Sequence, residues 1–459
     1  MSLQELVVTA PFGGLELARI PSPSAEDVEA AVRRSVSVFE TTRAIPTFTR
    51  VAILRTVAAE LERRRDELAR TIAAEAGKPI KAARAEAERA VATFSAAAAA
   101  LEAQKGEMLP LDVNAVSVGR WGVVKRVPLG PVLAITPFNF PLNLTSHKVA
   151  PAIAVGAPVV QKPASKTPLS ALRLREIVLR AGWPEDAYAV LPISGAAAEG
   201  LVTDPRLPVV SFTGSGAVGW RLKALVPKKR VALELGGNAA VVVHSDADLE
   251  DAARRTASGA FAYAGQSCIS VQRALVHRPA FEAFREKLLD AASALVVGDP
   301  LDEKTDVGPM IAPSEATRAE AWVAEAVAAG ATTLRGGTRI GDCLSPTILA
   351  NTTRSMKVEA QEVFAPVVTL NAYDDFEEAL RRVNDSKYGL QAGVFTRDLA
   401  RIQRAFDVLE VGAVLANDVP TWRADRMPYG GVKESGSGRE GPAYAMEEFT
   451  EPRLLVIRS

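Results

Sequence analysis

Residues 208–219 read PVVSFTGSGAVG, a short apolar run followed by three glycines, Gly214, Gly216 and Gly219. The run VVSFT has the length and composition of a buried strand, and the residues from Ala217 onward have a helical pattern. A strand that leads through a glycine turn into a helix places backbone N–H groups where a pyrophosphate can bind. A tight turn with close helix packing explains the same glycines equally well, so this motif alone leaves both interpretations open.

Similar apolar runs lie on both sides of this stretch. VLAIT, PVVQK, AYAVLPI and RVALEL are short and separated by helical segments such as 169–181 and 217–226. Strands that alternate with helices predict a parallel sheet covered on both faces, with a ligand site at the carboxyl ends of its strands. A second series, AAVVV, ALVHR, VVTLNAY and GVFT, follows between residues 239 and 417. The sequence therefore predicts an α/β fold with two doubly wound domains, the first of them Rossmann-like.

Charge and cysteine content exclude several classes of protein. The 459 residues carry 54 basic and 54 acidic side chains, so the net charge is 0, whereas a nucleic-acid or polybasic membrane binder would show a positive surplus. Two cysteines and three separated histidines give neither a disulfide framework nor a metal motif, and they fit a reducing compartment. An acidic N-terminal stretch and apolar runs well short of ~20 residues predict a cytoplasmic protein with no export signal and no membrane span.

The first hundred residues are predicted to be helical. Ser24 and Asp27 cap one helix, residues 49–76 form a second, and the alanine-rich residues 81–105 form a third that serves packing. Residues 115–128 alternate instead, which predicts a β-hairpin that extends from the body. Together with the terminal run LLVIR, which needs a strand edge to pair with, this hairpin predicts contacts between subunits.

Two side chains beside flexible turns are candidates for catalysis. Cys268 ends the motif GQSC in a polar loop, where a thiol has the access that a nucleophile needs. Glu234 ends the strand RVALEL, immediately before a glycine-containing turn. It could act as a general base or, as the acidic residue 15 positions after Gly219, hold ribose hydroxyls. An inert buried cysteine and a solvated strand end are the commoner explanations of such residues taken singly.

Seven motifs, taken together and in order, resemble the aldehyde dehydrogenase family over residues 24–459. They are TPFNFP (136–141), KPASKTP (162–168), FTGS (212–215), LELGG (233–237), GQSC (265–268), EVFAPV (362–367) and PYGGVKESGSGRE (428–440). The segments HKVAPAIA, SCISVQR and PTWRADRMPYGG are most similar to the lactaldehyde and phosphonoacetaldehyde dehydrogenase branch.

This resemblance implies NAD(P)-dependent oxidation of an aldehyde to a carboxylic acid. Cys268 would attack the aldehyde carbon to form a thiohemiacetal, and Asn139 would stabilise the oxyanion together with the Cys268 backbone N–H. Hydride transfer to nicotinamide would leave a thioester, which water activated by Glu234 would hydrolyse. The resemblance therefore favours the base over the ribose role for Glu234. Lys148 would help to orient the site, unless it is a surface lysine.

The resemblance also implies the residues that bind NAD or NADP. Glu362 would hold a ribose beside Phe364, which packs near the nicotinamide, while Lys162 would reach the adenosine ribose and Ser215 the pyrophosphate. The remaining cofactor residues are Thr136, Pro137, Phe138, Ser165, Gly195, Phe212, Thr213, Gly214, Gly219, Leu235 and Gly236.

Two positions depart from the family pattern. Ser165, followed by Lys166, stands where many NAD-preferring members carry glutamate, so no carboxylate there repels a 2′-phosphate and we expect NADP to be accepted. Ala365 stands where glycine is commoner, and we interpret it as a packing difference.

The substrate is expected to be a small hydroxy- or anionic aldehyde. Arg423 and Arg426 lie in a region that lines the substrate funnel in relatives, where arginines would bind a carboxylate, phosphonate or phosphate. A solvated or subunit-facing arginine pair is the alternative. His147 and Ser267 are further candidates for substrate contact, and no metal is expected.

Other activities stay open at this point. A CoA-acylating semialdehyde dehydrogenase generally lacks the glutamate base, and a cofactor-independent cysteine hydrolase or esterase would leave the glycine motif without a role. The expected organisation is a cofactor-binding domain at 1–108 and 129–234, a catalytic domain at 235–432, and an arm at 109–128 and 445–459 that assembles a homodimer or homotetramer.

Overall fold

The computed structural model describes residues 5–459. Residues 1–4, with which the expected first domain begins, lie outside the described residues. Across the described range, none of the helices has the length and apolar character required to cross a membrane.

A small ribbon and four helices open the described chain. The elements are β1 (Glu5–Thr9), β2 (Glu16–Pro21), α1 (Ala25–Ala44), α2 (Thr47–Arg63), α3 (Arg65–Ala76) and α4 (Ile80–Glu102), and they are followed by β3 (Glu107–Pro110) and β4 (Arg120–Pro128). The capping box at α1 is present, because Ser24 Oγ accepts from the Asp27 N–H at 3.1 Å and Asp27 Oδ2 accepts from the Ser24 N–H at 2.9 Å. The single helix expected over 49–76 is wrong: it breaks at Arg64 (φ −100°, ψ 15°), whose side chain turns to Glu67 and Glu176.

The first large sheet contains the strands predicted around the glycine motif. Its parallel strands are β5 (Val132–Ile135), β6 (Val159–Lys162), β7 (Tyr188–Val190), β8 (Val209–Thr213) and β9 (Arg230–Glu234), alternating with α5 (Asn143–Val155), α6 (Leu169–Arg180), α7 (Gly195–Thr203) and α8 (Gly216–Leu225). The spatial order is β7-β6-β5-β8-β9, so the winding direction reverses between β5 and β8. Ligands of such sheets bind beyond the carboxyl ends of the strands at this reversal. Both TPFNFP and GSGAVG begin there.

The second large sheet confirms the second α/β series and adds strands that the sequence did not reveal. The elements of this part of the chain, in order, are β10 (Ala239–Val243), α9 (Leu249–Phe261), β11 (Val271–His277), α10 (Phe281–Ser293), α11 (Pro313–Ala328), β12 (Thr332–Arg335), β13 (Arg339–Ile340), β14 (Cys343–Leu344), β15 (Thr347–Ala350), α12 (Lys357–Ala360), β16 (Val367–Tyr373), α13 (Phe376–Asn384), β17 (Tyr388–Gly389), β18 (Gln391–Phe395), α14 (Leu399–Val408) and β19 (Ala413–Ala416). The order of strands in the sheet is β12-β15-β16-β11-β10-β18-β19, and all neighbours are parallel except β12 with β15. The short strands β13, β14 and β17 lie outside this sheet.

The C-terminal segment returns to the first half of the chain. It forms β20 (Val432–Lys433), β21 (Gly436–Ser437), α15 (Pro442–Glu448) and β22 (Thr450–Arg458), and β21 pairs antiparallel with β9 at the edge of the first large sheet. Residues near position 430 are thereby held against Glu234, although about 200 positions separate them in sequence.

The arm differs in detail from the predicted hairpin. Residues 115–117 form a 3₁₀ turn, and β4 is a single strand whose neighbours are β3 on one side and β22 on the other. The terminal run LLVIR pairs within its own chain, in a register that runs from Thr450 opposite Pro128 to Arg458 opposite Arg120. Leu454 and Leu455 on β22 are nevertheless 49% and 59% exposed.

Candidate active site

A cavity of about 590 Å³ lies beyond the carboxyl ends of β5 and β8. Most of the residues expected to bind a dinucleotide line it: Thr136, Pro137, Phe138, Lys162, Ser165, Phe212, Thr213, Gly214, Ser215, Leu235, Gly236, Glu362 and Phe364. Gly195 and Gly219 are not among the lining residues. Gly195 begins α7, and Gly219 lies where a Cβ would press on the Leu235 side chain, so its role is close packing of α8.

The polar groups of this cavity fit a dinucleotide. Ser215 is the N-cap residue of α8 but makes no side-chain capping hydrogen bond, which leaves its hydroxyl free at the positive end of the helix dipole. Lys162 is largely buried and, within residues 5–459, forms no ion pair, so burial alone lowers the pKa of its amine. A buried cation without a counter-charge is suited to oxygen atoms of a bound ligand.

Glu362 and Phe364 complete this side of the cavity. Glu362 accepts a hydrogen bond from the Gly237 N–H at 2.9 Å, and burial raises the pKa of its carboxyl to about 7. Phe364 adopts a left-handed conformation (φ 51°), and its ring meets that of Phe138 edge to face at 6.0 Å between centroids. Strain of this kind is maintained only where surrounding contacts fix it.

A smaller cavity of about 120 Å³ lies on the other side of the thiol. Its lining residues are Lys78, Ala82, Arg89, Phe140, Leu144, Thr213, Glu234, Leu235, Ala262, Tyr263, Ser267, Cys268, Ile269, Thr421, Arg423, Tyr429 and Glu440. Cys268 and Glu234 line both cavities. The two candidate catalytic residues therefore lie where the dinucleotide-sized cavity meets the smaller, charged one.

The loop that carries Cys268 has an unusual backbone. Tyr263 (φ 52°), Ala264 (φ 54°) and Gly265 (φ 67°) are three consecutive left-handed residues. A Cβ at position 265 would overlap the carbonyl oxygen of Ala365, so glycine is required there. Left-handed non-glycine residues cost on the order of 1–3 kcal/mol each. The Tyr263 hydroxyl, which donates to the Ala76 carbonyl at 3.0 Å, helps to hold this conformation.

The Cys268 thiol lies in a largely apolar setting at the amino end of β11. Its Sγ atom is 2.9 Å from the Tyr429 hydroxyl. Burial raises the pKa of the thiol to about 12, and the hydrogen bond to Tyr429 works against that rise. The reactive thiolate thus depends on the few polar groups around it.

Glu234 is a buried carboxyl without hydrogen-bond partners among the described residues. Burial, and next the negative charge of Glu440, raise its pKa well above the ordinary value. Glu440 behaves in the opposite way. Although burial opposes its ionisation, Lys148 at 3.2 Å and Arg423 at 3.1 Å hold its pKa well below the usual range. The pair thus contains one permanent carboxylate and one that can exchange a proton, as acid–base catalysis requires.

Asn139 is brought to the thiol loop from the end of β5. Its side-chain Nδ2 donates to the Gln266 carbonyl oxygen at 3.0 Å, and the Gln266 side chain in turn donates to the Pro309 carbonyl at 3.2 Å and accepts from the Ile311 N–H at 2.8 Å. The amide has a second N–H proton that can serve an oxyanion.

The structure separates the four expected substrate residues. Arg423 lines the small cavity with its side chain 4% exposed, and Ser267 lines it too. Arg426 is exposed and lines neither cavity, so the structure does not place the expected pair of arginines together at the small cavity. His147 is buried behind the wall and lines neither cavity; its Nε2 is 3.1 Å from Arg423 Nη2 and 2.9 Å from Asp425 Oδ1.

Asp425 joins the residues behind the small cavity. It accepts from Arg89 at 2.8 Å and from Asn143 at 2.9 Å, in addition to its contact with His147. Burial opposes its ionisation, but the hydrogen bonds from His147 and Arg89 keep its pKa far below the ordinary range. Lys148 is also buried and donates to Ser211 Oγ at 3.0 Å, so it is not a surface lysine.

Several of the residues that line the small cavity were not predicted from the sequence. Arg89 lies in α4, which was predicted only to pack, and Lys78 follows the glycine that ends α3. Lys78 is buried, forms an ion pair with Glu86, and lies 3.6 Å from the centroid of the Phe140 ring. No local pattern marks either cation as a site residue. Tyr429 and Glu440, by contrast, lie within the motif PYGGVKESGSGRE, which the sequence does mark, although the motif alone does not show what these two residues contact.

A doubly wound dinucleotide cavity that meets a small charged cavity at one thiol is the site of a dinucleotide-dependent oxidoreductase. The chain belongs to the aldehyde dehydrogenase family, whose model, "Aldehyde dehydrogenase family", matches residues 1–455. The expected family, α/β fold and use of NAD or NADP are thereby confirmed.

Individual relatives match over nearly their whole length. The 3-sulfolactaldehyde dehydrogenase of Priestia aryabhattai is 44% identical over 441 residues, covering 96% of this chain and 92% of that protein. The structure of aldehyde dehydrogenase 21 from Physcomitrella patens with the reaction product succinate has a TM-score of 0.98 and 43% identity, covering 100% of this chain and 95% of that one. Glyceraldehyde-3-phosphate dehydrogenase GapN from Methanocaldococcus jannaschii with NADP has a TM-score of 0.96 and 38% identity, covering 100% of both.

Proposed function

We propose that this enzyme oxidises a small anionic or hydroxylated aldehyde to its carboxylic acid by way of a thioester on Cys268. The observation that carries the proposal is the position of Cys268, which lines both the dinucleotide cavity and the small cavity. A thiol in that position faces an aldehyde on one side and the dinucleotide on the other, as covalent oxidation requires.

The side chains at the junction take complementary roles. The Cys268 thiolate attacks the aldehyde carbon, and Asn139 with the Cys268 backbone N–H stabilises the oxyanion of the resulting thiohemiacetal. Bound NAD or NADP supplies the hydride acceptor. Glu234, whose raised pKa makes it a stronger base than an exposed glutamate, takes a proton from the water that hydrolyses the thioester.

The charges around the small cavity support an anionic substrate. Three cations, Lys78, Arg89 and Arg423, line it beside the carboxyl groups of Glu234 and Glu440, and a volume of about 120 Å³ suits a molecule of only a few carbon atoms. Arg423 Nε is buried without a hydrogen-bond partner among the described residues, so it can donate to a substrate carboxylate, sulfonate or phosphate. The sulfolactaldehyde named for one relative and the succinate bound to another are both anionic, which agrees with this proposal.

Arg423→Ala should raise KM for an anionic aldehyde by about 10- to 100-fold more than for a neutral aldehyde, because a hydrogen bond to a charged group is lost only with the anionic one. The measurement compares KM for 4-oxobutanoate and for butanal in the parent and the variant. Arg426→Ala is the matched control, since Arg426 lines neither cavity, and it should change neither KM. Equal effects of Arg423→Ala on both aldehydes would remove the anion-binding role.

We expect kcat/KM for NADP within about tenfold of that for NAD, because positions 165 and 166 of the cavity lining are Ser165 and Lys166 and carry no carboxylate that would repel a 2′-phosphate. Ser165→Glu should lower kcat/KM for NADP by about tenfold or more and leave the NAD value nearly unchanged. Steady-state rates with each dinucleotide test this directly. An NAD preference of about a thousandfold in the parent would contradict the prediction.

One assay tests the overall proposal against its alternatives. Absorbance at 340 nm is followed with a panel of small aldehydes, with and without CoA. Formation of NADH or NADPH with release of free acid, unaffected by CoA, supports the proposal. A strict requirement for CoA would indicate an acylating dehydrogenase, and ester hydrolysis without a change at 340 nm would indicate a cofactor-independent hydrolase.

We also propose that the arm assembles a homodimer or homotetramer. Within the described part of the chain, β22 pairs with β4 on one side only, and Leu454, Leu455 and Val456 are about half exposed. An unpaired apolar strand edge is a preferred place for a second subunit. We propose in addition that the protein is located in the cytoplasm, as its cysteine content predicts, and that its domains have the boundaries given above.

A further inference from the structure

Tyr429 is a buried residue in direct contact with the reactive thiol. Its hydroxyl oxygen is 2.9 Å from Cys268 Sγ, and its side chain is 3% exposed. The ring packs with Ile269, Leu390 and Cys268 in one small apolar cluster. None of the roles described so far uses this tyrosine.

The position of the hydroxyl is fixed from three sides. The backbone of Tyr429 exchanges two hydrogen bonds with Glu440, donating at 3.0 Å and accepting at 2.6 Å. The guanidinium carbon of Arg423 lies 3.7 Å from the centroid of the ring, which is a close cation–π contact. The apolar cluster contacts a further part of the ring, which also lines the small cavity. The contact with sulfur is therefore built into the fold, because the backbone pairing, the guanidinium and the apolar cluster together hold the ring in place.

We propose that the Tyr429 hydroxyl is a catalytic group that donates a hydrogen bond to the Cys268 thiolate. A thiolate can only accept, so the phenol is the donor once the thiol proton has been released to water. The tyrosine O–H bond stays intact throughout. This inference rests on the proposed function of Cys268 as nucleophile and adds the group that makes the nucleophile available.

The charged groups around Cys268 give the thiolate little stabilisation of their own, so a hydrogen-bond donor is needed. Glu362 and Glu234 disfavour the thiolate, while Arg423 favours it, and Arg423 is already paired with Glu440. Lys148 is likewise engaged by Glu440. Burial is the largest obstacle to ionisation, and the phenol is the side-chain donor that the described structure places within hydrogen-bond distance of the sulfur. A hydrogen bond to a charged acceptor in a buried setting is strong enough to lower the thiol pKa by about 1.

The hydrogen bond has two opposing effects on rate. It increases the fraction of thiolate but reduces the nucleophilicity of each thiolate, with a Brønsted coefficient of about 0.4–0.5. If Tyr429→Phe raises the thiol pKa by about 1, the thiolate fraction at low pH falls about tenfold and the intrinsic rate rises about threefold. The net expectation is a rate about threefold lower at every pH below the pKa.

The experiment measures the rate at which methyl methanethiosulfonate labels Cys268, followed by the mass of the peptide that contains it, from pH 5.5 to pH 8. The reagent requires neither aldehyde nor dinucleotide, so the result is independent of the proposed function, whose own failure would appear only in the 340 nm assay. Cys268→Ser gives the background reaction of Cys343. Tyr444→Phe, at a residue 38% exposed, is the matched control and should react like the parent.

A graded variant separates donation from packing. Replacement of Tyr429 by 3-fluorotyrosine keeps the shape of the ring but makes the phenol more acidic and a stronger donor, so labelling at low pH should become faster than in the parent. Slower labelling by Tyr429→Phe together with faster labelling by the fluorinated protein supports the proposal. Unchanged labelling in Tyr429→Phe, or slower labelling in the fluorinated protein, overturns it. If Tyr429→Phe does not fold, the fluorinated protein alone decides.

Discussion

The Glu234→Gln variant should form close to one equivalent of NADH or NADPH per subunit, after which its turnover should almost stop. The amide cannot take a proton from water, so the thioester on Cys268 accumulates while its formation continues. Loss of a general base slows a reaction by about 10²- to 10⁴-fold, and that factor should fall on the steady-state rate. Rapid mixing followed at 340 nm separates the burst from later turnover, and intact mass shows the acyl group on the protein.

The surroundings of Glu234 make this result specific. Both oxygens are buried without partners among the described residues, so Gln introduces no broken ion pair. Glu286→Gln, at an exposed position on α10, is the control and should turn over like the parent. Steady turnover of Glu234→Gln within about tenfold of the parent would assign the base to another group.

Cys268→Ser should abolish dehydrogenase activity, with a loss on the order of 10⁴-fold or more, and should show no burst. A serine hydroxyl is a far weaker nucleophile than a thiol unless a base activates it. The Glu234 carboxyl has a raised pKa and makes no hydrogen bond to position 268 in the structure. Calorimetry should show dinucleotide affinity within a few-fold of the parent, because the cavity walls are unchanged.

Cys343 supplies the matched control for this substitution. Its thiol is buried and lies 3.6 Å from the Gly298 carbonyl oxygen, and it lines neither cavity. Cys343→Ser should retain the parent activity. Retention of the burst in Cys268→Ser would contradict the assignment of the nucleophile, whereas loss of dinucleotide binding would indicate that the substitution disturbed the cavity.

The sequence predicted the parts of this protein whose information is local. Short apolar runs between helices predicted the parallel strands, because burial on both faces requires uninterrupted apolar residues. GSGAVG and GQSC marked the glycine turn and the thiol loop, because glycine is needed where backbones approach closely. The break at Arg64 was not predictable, since no proline or glycine marks it and one of the two ion pairs that accompany it joins Arg64 to Glu176, 112 positions away.

The substrate side of the site depends on contacts that no local pattern reveals. Arg89 and Asp425 are 336 positions apart, and their ion pair exists only because α4 and the loop after β19 pack together. The same packing buries Arg423 and leaves Arg426 outside, although the two arginines are three positions apart and look equivalent in the sequence.

The return of the C-terminal segment to β9 has a consequence for synthesis on the ribosome. Every parallel strand of both large sheets has been made once residue 416 is complete, and so have Cys268 and Asn139. Arg423, Tyr429 and Glu440, which enclose the small cavity, come after these strands in the chain. A growing chain can therefore form its sheets early, while the pocket beside the thiol closes only after the segment from Arg423 to Glu440 has been made.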